Sequence, residues 1–242
     1  MTNTLLAVNG ITKRFGGFVA LNQVSLCVHA GERLGLIGPN GSGKTTLINC
    51  ISGALRNDEG TITFKNEQIE GLRAHVRTQR GVARSFQIPR PFGSMTLIDN
   101  LRIPLEYVAY RGSLHTAGIR DEARAILSDF GLGAKENELP LNLSQVELRK
   151  LELARAIAAR PSLLISDEAM AGLSSAEVDE VLAILFKLNG SGLAIIMIEH
   201  IMRAIMHFSQ RVICLDAGQV IAMGPPTKLV NDPNVQRAYL GA

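Results

Sequence analysis

The chain has no tryptophan, three tyrosines and only three cysteines in 242 residues. Cys27, Cys50 and Cys214 are odd in number, far apart and without ligand spacing. That excludes a disulfide framework and a cysteine zinc site, and suits a reducing compartment. Long apolar runs are missing too. Leu193–Ile198 is as long as any, far short of the ~20 residues of a spanning helix, so no membrane crossing is expected. The opening MTNTLLAVNG has neither a basic segment nor an adequate apolar stretch, so no signal peptide is expected. Charge of one sign is scarce: the net of +3 is too weak an excess to argue for nucleic acid. What remains, 46% hydrophobic and 19% charged residues, describes one soluble domain or two lobes sharing a core. The length suffices to bury that core without staples.

Strand and helix signals alternate. Asn22–His29 sets Val24, Leu26 and Val28 on one face with polar or small residues between, the pattern of a half-buried strand. Thr61–Phe64 is a short β-rich run after Gly60, and together the two predict an antiparallel layer in the N-terminal third. Leu34–Ile37, Leu163–Ile165 and Leu193–Ile198 are apolar on both faces, which suits strands buried between helix layers in a parallel sheet. After Ser174, the residues Val178, Val181, Leu182, Leu185 and Leu188 share one helical face, closed by Asn189-Gly190. Ser174 with Glu177 fits a capping box. Asp121–Phe130 and Leu148–Ala159 predict two further helices, and 94–159 carries no convincing strand. The expectation is one α/β domain over 1–242, with a core from 1–93 and 160–242 and a helical lobe inserted at 94–159.

The chemistry starts at Gly38-Pro39-Asn40-Gly41-Ser42-Gly43-Lys44-Thr45, which satisfies the phosphate-loop pattern G-x-x-x-x-G-K-[ST]. Glycines let successive N–H groups turn inward around phosphate oxygens. Lys44 is placed to reach the β and γ phosphates, Thr45 to offer its hydroxyl to Mg²⁺, and the following helix points its positive end at the same anion. A glycine-rich turn with a chance lysine is the plain alternative, but the strand–loop–helix setting speaks against it. Ser162–Glu168 is an apolar strand ending in two acids, Asp167 to hold Mg²⁺ and Glu168 to polarise a water. Read alone, it is a strand followed by solvated acids. His200 follows the third buried run, so it belongs at the same sheet edge, as a γ-phosphate hydrogen-bond partner or merely as a cap. Gln87 sits at the junction into the helical lobe. Phe15 is either core or an adenine-stacking ring.

These residues, in this order and spacing, resemble the ATP-binding subunits of ABC transporters over nearly the whole chain. The match rests on Phe15 (the aromatic loop), Gly38–Thr46 including Thr46 (Walker A), Gln87 (Q-loop), Leu143-Ser144 with the LELARA helix (signature), Ile165–Glu168 (Walker B), Ala171–Leu173 (D-loop) and His200 (switch histidine). The resemblance implies a P-loop NTPase fold, with a parallel sheet flanked by helices, an N-terminal antiparallel layer and an inserted helical subdomain. It implies ATP and Mg²⁺ as ligands, Gln87 joining Thr45 and Asp167 at the metal, and Glu168, His200, Gln87 and Lys44 as catalytic groups. It also implies a second ATPase subunit whose nucleotide Ser144 would contact, two membrane permease subunits, and a place on the cytoplasmic face of a membrane. A narrower resemblance, to branched-chain amino acid import ATPases, is carried by residues 13–24, 83–101 and 220–241. It implies a substrate-binding protein for the complex if it is an importer, and the slight net charge leaves no nucleic-acid partner expected. Urea-type importers and lipopolysaccharide-export ATPases are close relatives of that group.

The chain departs from the family pattern in places. The signature, near L-S-G-G-Q in the family, is Leu143-Ser-Gln-Val-Glu147 here. Val146 puts a stiff, branched side chain where a glycine approaches phosphate. Ser144-x-x-Glu147 is also a good capping box that needs no nucleotide. Ser174 and Ala169 replace the usual D-loop acid and the proline after the acidic pair. The expectation is a subunit that works beside a different ATPase chain. The competing readings are a nucleotide-dependent regulatory module with little hydrolysis, an export ATPase, and a nucleic-acid-acting ABC protein. The last is suggested only by the arginines at 73, 77, 80, 84 and 90, which read more simply as a solvated basic face or a contact with an acidic partner.

Overall fold

A Gly16-Gly17 turn, with Gly16 at φ +58°, joins β1 (Thr4–Phe15) to β2 (Phe18–His29) and sets Phe15 opposite Phe18. The computed structural model describes residues 3–111 and 118–240, so 112–117 of the expected helical lobe lie outside the described residues. The chain then runs through β3 (Arg33–Ile37), α1 (Lys44–Ser52), β4 (Glu59–Phe64), β5 (Glu67–Gln68), α2 (Ala74–Arg80) and β6 (Val82–Ser85). Helices α3 (Leu97–Pro104), α4 (Ile119–Asp129) and α5 (Gln145–Ala158) follow, with no strand among the described residues between Ser85 and Leu163. The last third holds β7 (Leu163–Asp167), α6 (Ser175–Gly190), β8 (Ala194–Ile198), α7 (Met202–Phe208), β9 (Arg211–Asp216), β10 (Gln219–Gly224), α8 (Pro226–Leu229) and α9 (Pro233–Leu240). None of the helices described is long and apolar enough to cross a membrane.

Two sheets result. One is antiparallel, in the order β2-β1-β4-β5; the other runs β10-β9-β3-β8-β7-β6, parallel except for the β10 edge. The fully apolar runs explain the second sheet, because each strand feeds two cores by alternation. Leu163, Ile165, Ala194, Ile196 and Ile198 face the antiparallel layer, and Leu164, Ile195 and Met197 face the helices. Helix α1 lies in the first of these cores, its Leu47, Ile48, Cys50 and Ile51 buried with both sheets. Ser174 and Glu177 form the expected capping box of α6. That helix ends at Gly190, as the Asn189-Gly190 pair leads one to expect. Asn189 is held in it by tertiary bonds: its amide donates to Gly31 and Leu193 carbonyls, both at 2.8 Å.

Of the five arginines from 73 to 90, Arg73 and Arg90 are exposed, whereas Arg77 and Arg84 are turned into the fold. Arg77, 1% exposed, donates to the carbonyls of Cys50 (2.6 Å), Ile51 (2.8 Å), Leu72 (3.0 Å) and Glu70 (2.9 Å). The first two belong to the last turn of α1, whose carbonyls have no partner within the helix. Arg80 pairs with Glu67 at 2.6 Å and Arg84 with Asp167 at 2.6 Å. Composition shows charge but not the carbonyls waiting to receive it. Arg77→Met keeps the volume and removes all four donations. It is expected to lower unfolding free energy by about 2–4 kcal/mol in urea titrations, since buried acceptors lose their partners.

Candidate active site

Strand β3 ends at Ile37 and the phosphate loop leaves it through Gly38, where a Cβ would stand 2.1 Å from the Leu215 carbonyl oxygen. At Gly43, φ +103°, a Cβ would meet the Ala20 carbonyl oxygen at 2.7 Å. Both positions therefore demand glycine, as the motif has it. Lys44 folds back over the loop, donating to the carbonyls of Gly38 (2.7 Å) and Pro39 (3.0 Å). Burial lowers its pKa against the opposing pull of Glu168, Cys214 and Asp167. The hydroxyl of Ser42 is buried inside the loop without a hydrogen-bond partner, a cradle with a donor to spare for an anion.

The acids arrive from the neighbouring strands. Asp167 closes β7, and Glu168 takes the left-handed conformation, φ +49°, with its N–H donating to Ile198 at the end of β8 (2.9 Å). A left-handed glutamate costs about 1 kcal/mol, a strain typical of functional turns. Its carboxylate is held from both sides: Gln87 Nε2 donates to Oε2 at 2.5 Å, and His200 Nε2 lies 2.9 Å from Oε1. A cleft of about 300 Å³ is lined by Phe15, Phe18, residues 40–46, Glu168 and His200. Phe15 is thus not core; it stands 48% exposed at the rim, with Phe18, 65% exposed, beside it. Of the expected residues, Asn40, Gly41, Ser42, Gly43, Lys44, Thr45, Thr46, Glu168, His200 and Phe15 meet in this cleft, and Gln87 reaches it through Glu168. Gly38 and Pro39 anchor Lys44 from behind.

Ser144 is not among them. It caps α5, accepting from the Glu147 N–H at 3.4 Å, while the Glu147 carboxylate takes the Ser144 N–H (2.9 Å) and the Lys135 ammonium (2.8 Å). Lys135 holds the Glu147 pKa below its usual range. Val146 is half-buried and packs against the helical core.

Thr45, Asp167 and Gln87 offer hydroxyl, carboxylate and amide oxygens, a hard donor set that fits Mg²⁺. Asp167 gives Oδ2 to Arg84, and its Oδ1 makes no hydrogen bond among the described residues. Gln87 spends only its amide nitrogen on Glu168.

Sequence reading missed several groups. Arg84 joins Asp167 to Asn49 of α1 (both 2.6 Å). Arg149, buried, donates to the Gln87 carbonyl and reaches the Ala171 carbonyl at 3.4 Å. Glu199, 3% exposed, accepts the Met170 N–H at 2.9 Å, tying the turn after Glu168 to the end of β8. The only signal for Glu199 was its place beside His200. Burial raises its pKa to about 7.

Comparisons with known proteins agree with this geometry. Residues 21–171 match the family model described as ABC transporter, and residues 219–242 match one described as branched-chain amino acid ATP-binding cassette transporter. The chain is 39% identical to the high-affinity branched-chain amino acid transport ATP-binding protein LivG of Salmonella typhimurium, covering 100% of this chain and 99% of the relative. It is 35% identical to BraF of Pseudomonas aeruginosa (100% and 99% covered) and 33% identical to the lipopolysaccharide export ATP-binding protein LptB of Haemophilus influenzae (98% of each). Among solved structures, an ATP-binding cassette of an ABC transporter in its ADP conformation superposes with a TM-score of 0.89 at 30% identity, covering 100% of both chains. A dimeric cassette bound to ADP and Pi superposes at 0.82 with 26% identity over 92% of this chain and 99% of that one.

The raised pKa of Glu199 has a stability consequence. The folded state holds this proton more tightly than the unfolded chain, so the contribution is full below the unfolded pKa near 4.5 and is lost as pH rises through about 7. Glu199→Gln is expected to remove that dependence. The stability difference between wild type and variant should shift by about 2–3 kcal/mol between pH 4.5 and 8 in denaturant titrations, and a constant difference would contradict it.

Proposed function

We propose that this chain, which belongs to the ABC transporter ATP-binding family, is the ATPase that powers import of branched-chain amino acids or a related small polar solute. The observation that carries the reading is the convergence of the Lys44 loop with Glu168 and His200 on one cleft, in a chain matched end to end by amino acid transport ATPases. In this reading the loop amides and Lys44 bind the triphosphate and the rim ring of Phe15 takes the base. Thr45, Asp167 and Gln87 hold Mg²⁺, which when bound neutralises charge on the terminal phosphates. Glu168 orients and deprotonates the attacking water. Gln87 and His200 fix its carboxylate from opposite sides, so base and orienters act as one unit. Likeness to LptB favours an export role as the second reading; the match over 219–242 favours the importer.

Surface chemistry supports a reading of the partners. Phe86, Phe92 and Tyr107, all exposed, stand with Arg84 and Arg155 around a groove of about 340 Å³ between β6 and the helices of 94–159. We assign this groove to a membrane permease subunit, with 94–159 acting as the lobe that it engages. The replaced signature, Gln145-Val146 in place of two glycines, supports pairing with a different ATPase chain whose own signature completes the Lys44 site.

Lys44→Ala and Glu168→Gln are each expected to reduce ATP turnover of the assembled complex by at least about 100-fold, measured as phosphate release. The isolated chain is expected to turn over slowly, and robust activity of the chain alone would sink pairing with a different subunit. Tyr107→Asp, at a side chain 66% exposed, should cut co-purification of the membrane subunits about tenfold while leaving nucleotide binding by the isolated chain unchanged.

A further inference from the structure

The phosphate loop is held from a direction that its motif does not contain. Gly38 N–H, the first amide of the loop, donates to the phenol oxygen of Tyr239 in α9 at 2.8 Å, across 201 positions of sequence. The carbonyl of the same residue accepts from Lys44 Nζ at 2.7 Å. Gly38 is therefore fixed on one side by the lysine of its own loop and on the other by a distant helix.

Local geometry leaves that amide few other acceptors. Strand pairing with β9 ends at Ile37, opposite Cys214, so the ladder has no partner for the next residue. Gly38 is also pressed so closely on the Leu215 carbonyl that a Cβ would stand 2.1 Å from it, so it cannot turn aside. Helix α9 is anchored for this task. Asp232 Oδ1 accepts the Asn234 N–H at 2.8 Å at its start, and Val235 is buried in the helical-side core. Tyr239 as a residue is 44% exposed, but desolvation at its phenol raises its pKa, and burial takes that of neighbouring Cys214 to about 11.

We propose that Tyr239 is a positioning residue for the phosphate loop, its hydroxyl holding the Gly38 amide so that α9 sets the loop's affinity for a nucleoside triphosphate. This rests on the nucleotide reading of the cleft. The hydroxyl contributes no contact to phosphate itself. It limits the conformations of the residue from which the cradle begins, so that binding does not have to order that residue.

The test compares Tyr239→Phe and Lys44→Ala with wild type in the full chain, using Mg²⁺ and the non-hydrolysable analogue AMP-PNP in calorimetry. Tyr239→Phe keeps the ring and its packing and removes only the acceptor. The expected result is a Kd raised about fivefold, with faster amide hydrogen exchange in the peptide spanning 36–44. A Kd within twofold of wild type overturns the proposal. So does a lowered Tm with unchanged Kd and unchanged exchange at 36–44, which is what a merely structural phenol would give. Lys44→Ala separates the two levels. If that variant binds AMP-PNP like wild type, the nucleotide reading fails; if it loses binding while Tyr239→Phe does not, only the role of Tyr239 fails.

Discussion

The parallel register of three adjacent strands decides where the chemistry lies. Leu36 of β3, Ile198 of β8 and Asp167 of β7 stand level across the sheet, so three polypeptide segments far apart in the chain run off the same edge together. Beyond those strand ends come Gly38–Thr45, Glu199-His200 and Glu168 respectively. In an open α/β sheet the carboxyl edge is where backbone ends and side chains can converge without competing for the core. A slip of two residues in either pairing would keep the hydrophobic faces and scatter the site.

Much of this was legible because hydrophobic periodicity and motif spacing are local properties. The runs at 34–37, 163–165 and 193–198 became β3, β7 and β8, and the loop and acidic pair lie where strand–loop–helix logic puts them. What stayed hidden depends on partners remote in sequence. Arg77 reads as surface charge until the end of α1 is seen to present bare carbonyls to it. Phe15 reads as core until the tight Gly16-Gly17 turn carries it, with Phe18, to the rim of the cleft. The β9–β10 hairpin went unread because its turn places Ala217, at φ +42°, where asparagine, aspartate or glycine is the usual signal before Gly218. Glu199 was overshadowed by the histidine beside it.

The segment that departs from the family pattern is coherent as local structure. Ser144 and Glu147 close a reciprocal cap, Lys135 neutralises the added acid, and Val146 contributes to the helical core. Val146 and Glu147, two of the residues that depart from the family pattern, thereby each have a folding role.

Arg84 occupies two places at once. It lines the groove beside Phe86 and also bonds Asn49 of the phosphate-loop helix and Asp167 of the acidic strand. One guanidinium is thus shared between the wall of the groove and the acidic strand. Linkage makes this sharing reciprocal: a groove occupant that prefers one placement of Arg84 alters nucleotide affinity by some factor, and nucleotide must alter the grip on that occupant by the same factor.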